Sequence, residues 1–318
     1  MKEYTTIEEI YKDIESVKIQ GATNVAIAVI SGIKLLLKQK EFSSYDEFIQ
    51  EVFSTANNLA TARPNEPLAK NGVKYLRHVL RVKNSGERDL TLLKQIVERT
   101  CDDYLKMIKV AKDLIVVNSK GVLEDKRGIF THCHSTTAER VIIEHYKNHN
   151  DIKVACTETR PLFQGRITAA NLVKAGVDTT LTVDSAGESF IMGRDLFSVD
   201  VVLIGSDEIL ADGSAINKVG SLGYALAAKR AGIPVYIVTS ILKVDPEATF
   251  EGLQIEERSA SEIWDNAPIG LKLFNPAFDF IDKDLITGFI TEEGVLAGSD
   301  LKRVLQKRYS WLFDHEYI

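Results

Sequence analysis

From residue 128 onward, short apolar runs alternate with helix-like stretches, and this alternation most limits what the chain can fold into. Apolar runs at 152–156, 179–183, 199–204 and Val235–Val238 are separated by helical patterns at Thr136–Asn148, 166–175 and 217–231. Consecutive strands joined by helices of this length need crossovers, which build a parallel sheet with right-handed connections. The expected class is α/β. Gly176, Gly205 and Gly232 stand where helices stop or turns begin.

The residues before 120 read differently. The stretches 8–17, 22–37, Tyr45–Ala60 and 90–108 carry helix formers with apolar spacings of three and four. Arg63-Pro64-Asn65 punctuates them, because proline disfavours helix at the residue before it. The segment 111–117 has a β-branched run, but Tyr104, Ile108, Ala111 and Ile115 share one helix face, so it is read as helix. A chain of 318 residues can bury two cores. The reading is a helical domain over 1–120 followed by a parallel-sheet domain over 121–318, without internal repeats.

Composition excludes several function classes. A net charge of −6 gives no reason to expect nucleic acid or an anionic membrane as partner. No apolar run approaches the roughly 20 residues that span a bilayer, and the amino terminus lacks the apolar core of a signal peptide. Cys101, Cys133 and Cys156 are odd in number and widely spaced, so neither a disulfide framework nor a zinc knuckle is indicated. The chain reads as cytoplasmic. Gly205-Ser206-Asp207-Glu208 lacks the spaced glycines of a dinucleotide fingerprint, and no glycine-rich loop precedes a Lys-Ser/Thr pair. No nicotinamide, ATP, metal or other cofactor is expected.

Two segments offer chemistry at a strand end. Gly128-Ile129-Phe130-Thr131 runs into His132-Cys133-His134-Ser135, and Val201-Val202-Leu203-Ile204-Gly205 runs into Ser206-Asp207. Each reads as a strand followed by a turn and a helix, and open α/β sheets bind ligands at the carboxyl ends of their strands. Ser135-Thr136-Thr137 opens a helix, whose amino terminus would favour the Cys133 thiolate. A packed structural cysteine fits the position equally well; Cys101 and Cys156 read as packing. A carboxylate at the end of a buried strand is desolvated, which suits Asp207 to hold and donate a proton. A turn or cap aspartate is the simpler account. Asn217 and Lys218 read as the start of a helix, where a lysine and exposed backbone N–H groups can meet a phosphate. Gly21-Ala22-Thr23-Asn24 likewise opens a helix with small residues. Arg63 and Arg160, each before a proline, are arginines held at bends. Together these groups suggest a phosphorylated small molecule handled by proton transfer.

Further segments carry a resemblance. Thr131-His132-Cys133-His134-Ser135, Thr157-Glu158-Thr159-Arg160-Pro161 with Gln164-Gly165, Gly205-Ser206-Asp207, Asn217-Lys218-Val219-Gly220, Asn275-Pro276-Ala277-Phe278-Asp279 and Ile290-Thr291-Glu292-Glu293-Gly294 occur in that order. The set resembles the superfamily uniting ribose-1,5-bisphosphate isomerase, methylthioribose-1-phosphate isomerase and the alpha, beta and delta regulatory subunits of eukaryotic translation initiation factor two B. The resemblance spans about residues 8–298. It implies a Rossmann-like second domain, a catalytic pair at Cys133 and Asp207, and substrate contacts at Gly21, Ala22, Arg63, Ser135, Gln164, Asn217 and Lys218. The regulatory subunits generally lack that pair, so its presence implies an enzyme. The His-Cys-His-Ser form looks like the ribose-1,5-bisphosphate branch, a phosphorylated pentose as substrate and a place in AMP metabolism. It also implies a homo-oligomer, either a dimer or a hexamer built from dimers. One departure stands out. The isomerases usually carry arginine before Gly-Ala, and this chain has Gln20; losing that charge-assisted contact would cost about 1.5–3 kcal/mol of phosphate binding.

Overall fold

The structure, a computed structural model, describes residues 3–83, 88–193 and 196–314. The chain divides into two compact units. One comprises Met1–Val110, Leu242–Pro246 and Arg303–Ile318; the other comprises Ala111–Ile241 and Glu247–Lys302.

The first unit is helical: α1 (Ile7–Glu15), α2 (Ala22–Gln39), α3 (Tyr45–Ala60), α4 (Pro67–Lys83) and the opening of α5 (Leu90–Leu123). Sequence signals start two of these helices. Thr6 and Ser44 accept the backbone N–H of Glu9 and Glu47 with their hydroxyls, and each glutamate reaches back to the N–H of Thr5 or Ser43. These are reciprocal caps that satisfy otherwise orphaned donors. α2 is apolar nearly all round because it is the central helix, burying Val25, Val29, Ile33 and Leu36. Gly32 lets α3 approach closely, since a Cβ there would lie 2.3 Å from Cδ1 of Leu59. Among the described residues α2 is also the one helix that could cross a membrane by length and composition, with a mean hydropathy of 1.2. The segment 310–314 packs on α4: Trp311 tilts against Tyr75 at 5.2 Å, and Asp314 meets His78 and Arg81 at 2.6 Å each.

α5 answers the ambiguity at 111–117, which is helix throughout. The expected boundary at 120 and the observed division both fall within this uninterrupted helix.

The second unit begins with β1 (Gly128–Thr131), α6 (Thr136–Asn148), β2 (Lys153–Thr157), α7 (Gln164–Lys174), β3 (Asp178–Thr182) and α8 (Gly187–Ile191). It continues with β4 (Val201–Ile204), β5 (Glu208–Leu210), β6 (Ala215–Lys218), α9 (Ser221–Ala231) and β7 (Val235–Val238). The two-residue β8 (Val244–Asp245) belongs to the first unit. β9 (Phe278–Ile281), β10 (Gly288–Thr291) and β11 (Gly294–Leu296) close the second unit, and α10 (Leu301–Arg308) belongs from Arg303 onward to the first. The main sheet has the order β11-β10-β7-β4-β1-β2-β3 and is parallel except for the β10–β11 pair. Its inner strands β1, β4 and β10 are buried along their whole length, as strands covered on both faces must be. Ile129, Val154, Val201, Leu203 and Val238 pack with Val141 and Ile142 of α6.

From β1 the chain winds outward through β2 and β3, then returns to place β4 on the other side of β1. The winding direction therefore reverses between β1 and β4. At such a switch point the crossovers leave to opposite faces, and a crevice opens at the carboxyl ends of the two strands.

Two expectations are corrected. Asp207 does not lead directly into a helix; it enters the β5–β6 hairpin, turned at Asp212-Gly213 with Gly213 at φ 90°. Asn217 and Lys218 are not helical either. They end β6 and pair antiparallel with Asp279 and Phe278 of β9, and α9 begins at Ser221. A pairing partner so distant in sequence leaves no trace in the local pattern.

Candidate active site

Cys133 follows β1 and Asp207 follows β4, so the two predicted reactive groups stand at the carboxyl ends of the strands that flank the switch point. The approach is close: a Cβ added to Gly205 would fall 2.7 Å from Cβ of Ser135. Any larger residue at 205 would push the two turns apart.

Cys133 sits in the left-handed region at φ 64°, which a residue with a Cβ holds only when its neighbours constrain it. Its N–H donates to Thr159 Oγ1 at 3.1 Å, and its carbonyl accepts from Thr168 Oγ1 at 2.9 Å. Thr159 is itself left-handed at φ 63°. The Asp184 carboxylate fixes that turn by accepting the N–H groups of Thr159 and Arg160 at 2.8 and 2.6 Å.

His132 is buried and belongs to the framework. Its Nε2–H donates to Val219 O at 2.9 Å, which leaves Nδ1 to accept from Thr157 Oγ1 at 2.5 Å. The ring meets Tyr224 edge-on at 4.9 Å. Burial lowers its pKa to about 4, so it is neutral at pH 7. His134 is half-buried, with Nδ1 3.1 Å from Thr168 Oγ1 and 3.4 Å from Glu139 Oε2. Burial lowers its pKa too.

The expectation of a thiolate favoured by the α6 amino terminus is corrected. Burial pushes the Cys133 thiol up from 9.0 to about 11, against a smaller downward pull from Lys218, and Asp207 adds a further upward push. Desolvation of a sulfur anion outweighs one helix end. The charges of Lys218 and Asp207 thus act on the thiol in opposite directions. Cys101 and Cys156 are buried, and desolvation raises each thiol to about 12, as their reading as packing residues requires.

The remaining residues fall into two groups. In the second unit, Ser135 caps α6 by accepting from Ala138 N at 3.3 Å. Gln164 opens α7 just after left-handed Phe163, and its buried Oε1 has no hydrogen-bond partner among the described residues. An unmatched buried acceptor costs about 1–3 kcal/mol unless something else supplies the donor. Gly165 beside it allows α7 to touch β2, because a Cβ would lie 1.7 Å from Thr157 O. Asn217 is buried and donates to Ser221 Oγ at 2.8 Å. Lys218 Nζ lies 4.7 Å from the Phe278 ring centroid. In the first unit, Gly21 at φ 82° starts α2, Ala22 is buried at its first turn, and Gln20 is exposed. Arg63 is buried and pairs with Glu66 Oε1 at 2.7 Å. Arg160 is turned away from a phosphate role, donating to the carbonyls of Pro161, Glu262 and Ile263.

The later motifs prove to be architectural. Asp279 Oδ2 accepts the N–H groups of Gly220 and Leu222 at 2.8 and 3.0 Å, capping α9 from the neighbouring β9. Buried Glu292 accepts from Ser240 Oγ at 2.6 Å and Ile241 N at 3.0 Å. The sequence reading missed Thr159, Thr168 and Asp184. Thr159 lies inside a quoted motif, but its role depends on a contact 26 residues away in the chain.

Comparison with known proteins agrees with this architecture. Ribose 1,5-bisphosphate isomerase of Methanocaldococcus jannaschii is 33% identical over 315 residues, covering 98% of each chain. Methylthioribose-1-phosphate isomerase of Symbiobacterium thermophilum is 31% identical over 313 residues, covering 92% of this chain and 84% of its own. Among solved structures, translation initiation factor eIF-2B of Pyrococcus horikoshii superposes with a TM-score of 0.78 at 20% identity, covering 92% of this chain and 96% of its own. Residues 18–298 match the Initiation factor 2 subunit family, and the chain belongs to that family.

Proposed function

We propose that this chain is an aldose–ketose isomerase of sugar 1-phosphates, converting ribose 1,5-bisphosphate to ribulose 1,5-bisphosphate. The observation that carries the reading is the juxtaposition at the switch point: a thiol and a carboxylate from adjacent strand ends, with Lys218 acting on the same thiol. A sugar phosphorylated at C1 cannot open as a free hemiacetal does. Asp207 donates its proton to the ring oxygen as the C1–ring-oxygen bond breaks. Lys218 favours the thiolate. The thiolate takes the C2 proton, giving a C1–C2 enol. Cys133 returns the proton to C1, and the 2-hydroxyl proton passes to Asp207, which leaves the ketone at C2 and restores both groups. A direct hydride shift from C2 to C1 is the competing path. Solvent deuterium at C1 of the product supports proton transfer, and its complete absence rejects it.

Lys218 and the N–H groups at the start of α6 would hold phosphate, while Gln164 and Asn217 would meet sugar hydroxyls. The unmatched Gln164 Oε1 supports a hydroxyl donor there. The contacts assigned to Gly21, Ala22 and Arg63 rest on the resemblance. An association between copies of the chain is supported by apolar side chains exposed along 263–274: Ile263, Trp264, Ile269, Leu271 and Phe274. The free thiols fit a reducing cytoplasm.

The test is turnover of ribose 1,5-bisphosphate, trapped as ribulose 1,5-bisphosphate by a carboxylase, with methylthioribose 1-phosphate in parallel. Turnover of the bisphosphate, lost in both Cys133→Ser and Asp207→Asn, is expected. Turnover of the thioether sugar alone moves the assignment to that branch, and turnover of neither rejects the enzyme reading.

A further inference from the structure

The hydroxyls of Thr159 and Thr168 hold Cys133 from opposite sides. Thr159 Oγ1 takes its N–H and Thr168 Oγ1 supplies a proton to its carbonyl, at 3.1 and 2.9 Å. Both threonines are buried, and they come from different segments, the turn after β2 and the middle of α7. Each hydroxyl is itself oriented. The Asp184 carboxylate fixes the backbone turn that carries Thr159. His134 Nδ1 lies 3.1 Å from Thr168 Oγ1, and since that hydroxyl's proton goes to Cys133 O, the imidazole N–H is the donor between them. Glu139 Oε2 sits 3.4 Å from the same nitrogen and accepts from Asn171 Nδ2 at 2.9 Å. The clamped peptide is the left-handed one at φ 64°.

We infer that Thr159 and Thr168 are positioning residues: their paired hydrogen bonds keep Cys133 in its left-handed turn and so aim the thiol into the switch-point crevice. The inference rests on the proposed role of Cys133 as the base. Without the clamp the turn relaxes toward ordinary backbone angles, the sulfur leaves the packed atoms around it, and the angle from which it meets C2 is lost. Reactivity and catalysis should then move in opposite directions.

The experiment compares Thr159→Val and Thr168→Val with Thr159→Ser and Thr168→Ser in the full chain. The readouts are steady-state kinetics on ribose 1,5-bisphosphate and iodoacetamide alkylation of each cysteine, followed by peptide mass spectrometry. A misaimed base costs roughly 10- to 100-fold in kcat with KM nearly unchanged. Cys133 in the valine variants is expected to alkylate several-fold faster, while Cys101 and Cys156 stay protected and the serine variants keep wild-type behaviour. Valine variants with wild-type kcat and alkylation overturn the clamp. So does faster alkylation of all three cysteines together, which reports general loosening, and so does failure of serine to rescue. If the wild-type protein turns over no sugar phosphate, the isomerase reading fails, and the alkylation arms still decide whether the clamp exists.

Discussion

Ionisation of the Cys133 thiol offers the sharpest test of the site's electrostatics. Burial is the largest influence and raises it from 9.0 to about 11, a difference of ~2.7 kcal/mol against the thiolate. At pH 8 an ordinary thiol is about one-tenth ionised, whereas this one is ionised in roughly one molecule per thousand, so alkylation should be about 100-fold slower. Lys218 pulls in the opposite direction more strongly than Asp207 pushes. Lys218→Met should therefore slow Cys133 alkylation further, and Asp207→Asn should speed it. Each change amounts to roughly 2- to 10-fold for a partly solvated charge, with the larger effect at Lys218. The assay is the iodoacetamide rate at Cys133 between pH 7 and 10.5, mapped by peptide. The sign for stability follows from the same displacement. The folded thiol holds its proton more tightly than the unfolded chain does, so stability is intact below pH 9 and declines as pH rises toward 11. A Cys133 that alkylates at the rate of a free thiol, or that slows in Asp207→Asn, refutes this account of the crevice.

Other perturbations test the framework. His132 is held neutral in the fold with its pKa near 4, against 6.5 when free, so stability present above pH 6.5 should fall by about 3 kcal/mol as pH drops to 4. Urea midpoints of wild type and His132→Gln at pH 7 and pH 4.5 check this, since the variant should show a flatter acid slope. Gly165→Ala should cost roughly 3 kcal/mol, because its Cβ would lie 1.7 Å from the immovable carbonyl of Thr157; an unchanged thermal midpoint would contradict the packing of α7 on β2. Asp279→Ala removes the acceptor of two α9 N–H groups and should cost about 1 kcal/mol in chemical denaturation. Trp264→Asp should shift the protein toward smaller species in light scattering if the apolar 263–274 segment joins copies of the chain.

Much of this architecture was legible along the chain. Helix α3 and helix α6 coincide with the ranges read from periodicity, and β2, β3, β4 and β7 lie within a residue or two of theirs. Local pattern suffices for β2, β4 and β7 because buried parallel strands are short continuous apolar runs, while the exposed edge strand β3 is marked by its β-branched threonines. The positions of Cys133 and Asp207 at strand ends were readable for the same reason. Asn217 and Lys218 were misread as helical because glycine punctuation marks a turn without saying what precedes it. Only the pairing with β9 makes that segment a strand.

The order of the strands and the ionisation of the groups at their ends are tertiary properties. Chain periodicity dictates that β1 and β4 exist; it does not dictate that they lie side by side, with the winding reversed between them. Nor does a thiol before a helix reveal its own titration, because the outcome depends on how closely segments such as the turn after β2 and α7 pack against its turn. Burial is a sum over neighbours distant in sequence, and here that sum overrides the helix end and sends the Cys133 thiol upward rather than down.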